Sequence, residues 1–80
     1  MDKYVEIAEL DTCGLLCPLP VLKARKRLQS MAPGETLRVL ADDPAAQIDF
    51  PHFCAEQGHG LVAEDTADGV LIFVIRKESG

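Results

Sequence analysis

Residues 17–34, CPLPVLKARKRLQSMAPG, decide the fold. Val21, Ala24, Leu28 and Met31 recur at spacings of three and four, while Lys23, Lys26, Arg27 and Ser30 fall on the opposite face. That is the pattern of an amphipathic helix with one apolar stripe. Pro18 suits a first helical position, and Pro33-Gly34 ends the helix. Upstream, residues 4–10 alternate Val5 and Ile7 with Glu6 and read as a strand. Downstream, residues 36–41 (TLRVLA) read as a second strand.

Asp42-Asp43-Pro44 then combines capping residues with a proline suited to a first turn, which predicts a second helix over residues 45–57. Pro51 interrupts that helix, because an interior proline removes a backbone donor, and Asp49 is expected to restart it after a bend. Residues 61–64 and 70–76 (VLIFVIR) read as two strands joined through Asp68-Gly69, a hairpin signal. The order βαβαββ predicts a two-layer α/β sandwich: a four-stranded mixed sheet with two helices on one face.

Eighty residues suffice for one domain, residues 1–80. Hydrophobic residues reach 48% but aromatics only 5%, so aliphatic side chains must fill the core. The net charge of −5 argues against direct nucleic-acid binding, which needs clustered Lys and Arg. No run approaches the roughly 20 apolar residues of a membrane span, and no signal peptide is visible. Three cysteines, an odd number, fit reduced thiols better than a secreted disulfide framework. A cytoplasmic protein, monomeric when free, is expected.

The chemistry concentrates at Cys17. With Pro18 opening the helix, free first-turn N–H groups and the positive end of the helix dipole would face the sulfur. Lys23, Arg25, Lys26 and Arg27 would add positive potential. The expectation is an exposed nucleophile with a lowered pKa, since the thiolate is the reactive form. A Cys-x-x-Cys redox pair would need its second thiol where Pro20 stands. The competing reading is a small buried capping residue, which would be inert.

Cys17-Pro18-Leu19-Pro20, preceded by Asp11 and Gly14, resembles the central motif of the TusA/SirA-like sulfur carriers. The likeness continues through Arg25-Lys26, Pro33-Gly34-Glu35, Asp42-Asp43-Pro44, residues 49–54 (DFPHFC), Gly58-His59 and Ile75-Arg76-Lys77. The resemblance implies a four-stranded sheet with two helices on one face. It also implies that Cys17 accepts a sulfane sulfur from a cysteine desulfurase or rhodanese-like donor and carries it as a persulfide. A downstream acceptor then takes the sulfur, as in tRNA 2-thiouridine synthesis, sulfur oxidation or molybdenum-cofactor synthesis. So small a domain has little room for a substrate pocket, which favours a carrier needing no cofactor over an independent enzyme.

The remaining candidates divide by environment. Cys13 is either a resolving thiol for Cys17 or a small apolar loop residue. Cys54 shares a helical face with Phe50 and Phe53 and is expected in the core. His52 and His59, taken together with the cysteines, raise the question of zinc. A zinc-bound Cys17 could not carry sulfur, so no metal is expected, and His59 is expected to pack at the helix end. Lys23, Lys26 and Arg27 form either a solvated face or a docking stripe for an acidic partner. Asp43, with Asp42, is first a helix cap and secondly a partner contact. Two rivals to the carrier remain: a Cys13/Cys17 redox switch and a non-catalytic interaction module.

Overall fold

The structure, a computed structural model, describes residues 7–78. The chain forms β1 (Ala8–Asp11), α1 (Leu19–Gln29), β2 (Thr36–Ala41), α2 (Ala46–Gln57), β3 (Gly60–Ala67) and β4 (Val70–Arg76). The sheet order is β1-β2-β4-β3. β1 runs parallel to β2, with Leu10 opposite Val39, and β4 lies antiparallel to both β2 and β3. β4 is therefore inserted between two strands that run in the same direction. The expected βαβαββ order and mixed four-stranded sheet are what the chain adopts.

Alternation within the strands divides the two faces of the sheet. Leu37, Val39 and Ala41 of β2 and Leu71, Phe73 and Ile75 of β4 are buried, on the side that receives the helices. Against them α1 places Ala24 and Leu28, and α2 places Ala46, Phe50, Phe53 and Cys54. Phe50 and Phe73 stack with ring centroids 4.6 Å apart. This pair joins helix to sheet in a core that is otherwise almost wholly aliphatic.

The helices owe their ends to specific groups. α1 is rich in good helix formers and carries Lys26 and Arg27 in its last turn, where cations complement the dipole. The buried Lys77 extends from the end of β4 and donates its Nζ to the Leu28 carbonyl at 2.5 Å, a carbonyl that also accepts the Met31 N–H at 3.0 Å. α2 ends at Gly58, whose φ of 76° is left-handed, and the His59 N–H returns to the Cys54 carbonyl at 2.9 Å.

Several expected boundaries move. Residues 4–6 of the first expected strand lie outside the described residues, and the strand runs on to Asp11 because pairing with Leu40 holds it. Pro18 is the N-cap of α1 rather than its first residue. α2 begins at Ala46 and continues through Pro51, so Asp49 restarts nothing. Burial of Phe50 and Phe53 on either side of Pro51 holds the helix together despite the missing donor. β3 is longer than residues 61–64 because Asp68-Gly69, both at positive φ, form a tight turn that keeps Asp65, Thr66 and Ala67 paired with β4.

Phe73→Ala is expected to cost about 3–5 kcal/mol, since it removes the ring on which Phe50 stacks and leaves a cavity. Ile48→Ala, at a side chain 76% exposed, should change stability by less than about 0.5 kcal/mol. Urea unfolding of the two variants checks both.

Candidate functional site: the Cys17 loop and its carboxylates

The connection from β1 to α1 is held by hydrogen bonds to its backbone. Thr12 is fully buried, and both its N–H and its hydroxyl donate to the Leu40 carbonyl, at 2.8 and 2.5 Å. Beyond it, three carboxylates accept successive backbone N–H groups. Asp11 Oδ1 takes Cys13 at 2.9 Å, Asp42 Oδ1 takes Gly14 at 3.0 Å, and Asp43 Oδ2 takes Cys17 at 2.7 Å. Gly14 adopts a φ of 87°, a conformation that side chains other than glycine's disfavour. The loop is thus fixed by its backbone, and the Cys17 side chain is left exposed.

Asp43 has a second bond: its Oδ1 accepts the Ala45 N–H at 3.0 Å. It does not cap α2, whose N-cap is Ala45 without a side-chain cap. Instead one carboxylate ties the cysteine loop to the turn that opens α2. Charge-assisted bonds of this kind are among the stronger ones available at a surface.

Cys17 opens onto a hollow of about 170 Å³, lined also by Pro18, Val21, Asp49, His52, Phe53 and Glu56. Asp49, His52 and Glu56 follow spacings of three and four along α2, so they share one stripe of that helix. His52 and Glu56 approach to 4.0 Å. Asp49 and the Cys17 thiol thus border the same hollow.

The charge around the thiol is the reverse of the sequence expectation. The neighbouring Asp49 carboxylate, then burial, then the negative charge of Asp43 hold the Cys17 thiol above its ordinary value of 9.0. The helix terminus gives little opposing help. Pro18 and Pro20 have no N–H, and Leu19's is spent on the Leu16 carbonyl at 2.9 Å. Lys23, Lys26 and Arg27 do not reach this hollow. With Leu10 and Ser30 they line a different one, of about 340 Å³.

The other candidates take separate places. Cys13 is half-buried, and its thiol is pushed up by burial and by the Asp11 hydrogen bond. Cys54 is buried in the core as expected, and burial, aided by the charge of Glu64, pushes its thiol up to about 11. All three cysteines are free thiols. His59 packs at the end of α2 as expected: its Nδ1 accepts the Glu78 N–H at 3.2 Å, and its ring lies 5.9 Å from Phe53. Sequence reasoning missed Asp49, His52 and Glu56 as neighbours of Cys17. Their shared stripe was legible, but which element that stripe borders was not.

Fold and site together define a small α/β domain that presents one exposed thiol on a braced turn between strand and helix. Residues 8–77 match the family described as Sulfurtransferase TusA, and the chain belongs to that family. It is 43% identical over 72 residues to a sulfur carrier protein TusA of Pseudomonas syringae pv. syringae (strain B728a), covering 90% of this chain and 86% of that protein. A SirA-like protein of Desulfitobacterium hafniense has the same fold, with a TM-score of 0.78 at 23% identity over 91% of this chain and 100% of that one.

The bonds from Cys13 and Cys17 hold the Asp11 and Asp43 carboxyls below the ordinary 3.8. A carboxyl depressed by folding stabilises the chain fully above its unfolded value. That contribution is lost as pH falls through the lower folded value. Asp43→Asn should therefore flatten the fall of stability with pH below 3.8, and an unchanged slope in urea titrations would remove Asp43 from this account.

Proposed function

We propose that the protein is a sulfur carrier in which Cys17 accepts a sulfane sulfur and carries it as a persulfide. The observation that carries this reading is the exposed Cys17 thiol, on a loop braced by Asp11, Asp42 and Asp43, in a chain of the TusA family. In loading, the Cys17 sulfur attacks the terminal sulfur of a donor persulfide. The donor's S–S bond breaks, the donor cysteine leaves as a thiolate, and the proton of Cys17 is released. Discharge is the same exchange with Cys17 as the leaving thiol, so no oxidant is needed.

The donor is a cysteine desulfurase or a rhodanese-like protein, and the acceptor is a downstream protein thiol. A route to 2-thiouridine in tRNA is one such destination, reached through protein partners rather than by direct contact with RNA. The net charge of −5 supports that restriction. Residues 1–80 act as one domain, monomeric between encounters. Among the described residues no helix is long and apolar enough to cross a membrane. The free thiols support a cytoplasmic setting.

Intact-mass spectrometry after incubation with a cysteine desulfurase and cysteine tests the proposal. Added sulfur is expected on the wild type and none on Cys17→Ser. Sulfur on Cys17→Ser would overturn the assignment, and loss of two hydrogens with no sulfur gained would favour a Cys13/Cys17 redox switch.

Docking is assigned to Lys23, Lys26 and Arg27 and, at the loop, to Asp43. The three cations are exposed and form no ion pair among the described residues. Reversing Lys23 and Lys26 to Glu should slow loading at low salt with little change in stability. The gap should narrow as salt is added, because steering between exposed charges is screened. Wild-type loading rates at low salt would rule the role out.

A further inference from the structure

We propose that the hollow beside Cys17 receives a lysine or arginine side chain from the protein that exchanges sulfur with it. The inference rests on the carrier reading and deepens it, naming a partner chemistry for a surface that the α1 cations do not line. The hollow has the size and lining for that one occupant. At about 170 Å³ it is smaller than the roughly 300 Å³ at which small-molecule sites begin, so it takes one side chain rather than a whole ligand. Pro18, Val21 and Phe53 supply apolar surface, while Asp49 and Glu56 supply carboxylates. A long basic side chain matches both parts, with methylenes for the one and a charged head for the other. An acidic occupant would meet like charge, and a wholly apolar one would cover the carboxylates without pairing them.

The carboxylates are available for such a cation. Asp49 forms no ion pair among the described residues, and Glu56 pairs only with the exposed His52, at 4.0 Å. Cys17 borders the same hollow, so a cation held there lies beside the reacting sulfur. In the unaccompanied carrier Asp49 and Asp43 disfavour the thiolate. A cation seated against Asp49 offsets that charge and favours the thiolate at the moment of exchange. Lys23, Lys26 and Arg27 line a separate hollow on α1. The partner is then held by opposite charges on two helices, which fixes its orientation about Cys17.

The test uses short synthetic peptides, Gly-Cys-Gly-X-Gly, whose cysteine is carried as a mixed disulfide with thionitrobenzoate. The Cys17 thiolate attacks the peptide sulfur, a disulfide forms between peptide and carrier, and thionitrobenzoate leaves as its coloured anion. X is lysine, its uncharged isostere norleucine, or the shorter cation diaminobutyrate. Rates are read as the part lost in Cys17→Ser, which sets aside any reaction at Cys13. Ratios between peptides cancel the thiolate fraction of the free carrier, which a substitution at Asp49 itself alters.

At low salt the lysine peptide should react about fivefold faster than the norleucine peptide, the size of a good exposed ion pair. It should also outrun the diaminobutyrate peptide, whose stem is too short to cross the apolar surface. The lysine advantage should disappear in the double variant Asp49→Asn, Glu56→Gln, and added salt should shrink it in the wild type. Equal rates for lysine and norleucine in the wild type, or an advantage that survives in the double variant, would overturn the proposal. Diaminobutyrate matching lysine would do the same, because it would show a diffuse field rather than a seat for a long side chain. Cys54 remaining unreactive shows that each variant is folded. Loading by the desulfurase decides the carrier reading separately.

Discussion

The parallel pairing of β1 with β2 is the constraint on which the site depends. Two neighbouring strands running the same way deliver their exit turns to the same end of the sheet. The turn that leaves β1 carries Cys13, Gly14 and Cys17, and the turn that leaves β2 carries Asp42 and Asp43. Adjacent strands put acceptor and donor within reach, and the 2.7 Å bond from Cys17 to Asp43 follows from that adjacency. Without it, the Gly14 and Cys17 N–H groups would lose their acceptors Asp42 and Asp43. Open α/β sheets commonly build sites at the carboxyl ends of their strands for the same reason.

The electrostatics fit a carrier better than a free-standing catalyst. A strongly activated thiolate on an exposed loop would react with whatever reached it. Here Asp49 on α2, and after it Asp43, which also braces the loop, disfavour the thiolate, and the two prolines have no N–H groups with which to support it. Reactivity is then left to the encounter, when a partner excludes water and alters the charge around the sulfur. Cys54, deep in the core, is kept out of the chemistry by burial, which with the charge of Glu64 pushes its thiol up to about 11.

Elements with strong local signals were legible. The stripe of Ala24 and Leu28, the run of residues 70–76 and the Asp68-Gly69 turn each depend on neighbours in sequence, and each appears where expected. Signals that compete with tertiary packing were not. Pro51 looked like a break, yet Phe50 and Phe53 anchor α2 in the core on both sides of it. No local signal marked Lys77 for burial, yet it is buried against the end of α1, a partner 49 residues away.

The sequence by itself determined the order of elements, the core faces and the exposed cysteine before a helix, because periodicity, turn chemistry and proline placement act over a few residues. Only the tertiary structure decided what surrounds that cysteine. The sign of the field at Cys17 comes from Asp43 and Asp49, brought close by the packing of α2 beside α1. The nearby cations of α1, though closer in sequence, turn toward Leu10 and a separate hollow. Charge acts through space, and a helix that sends one face to the thiol must send its other face elsewhere.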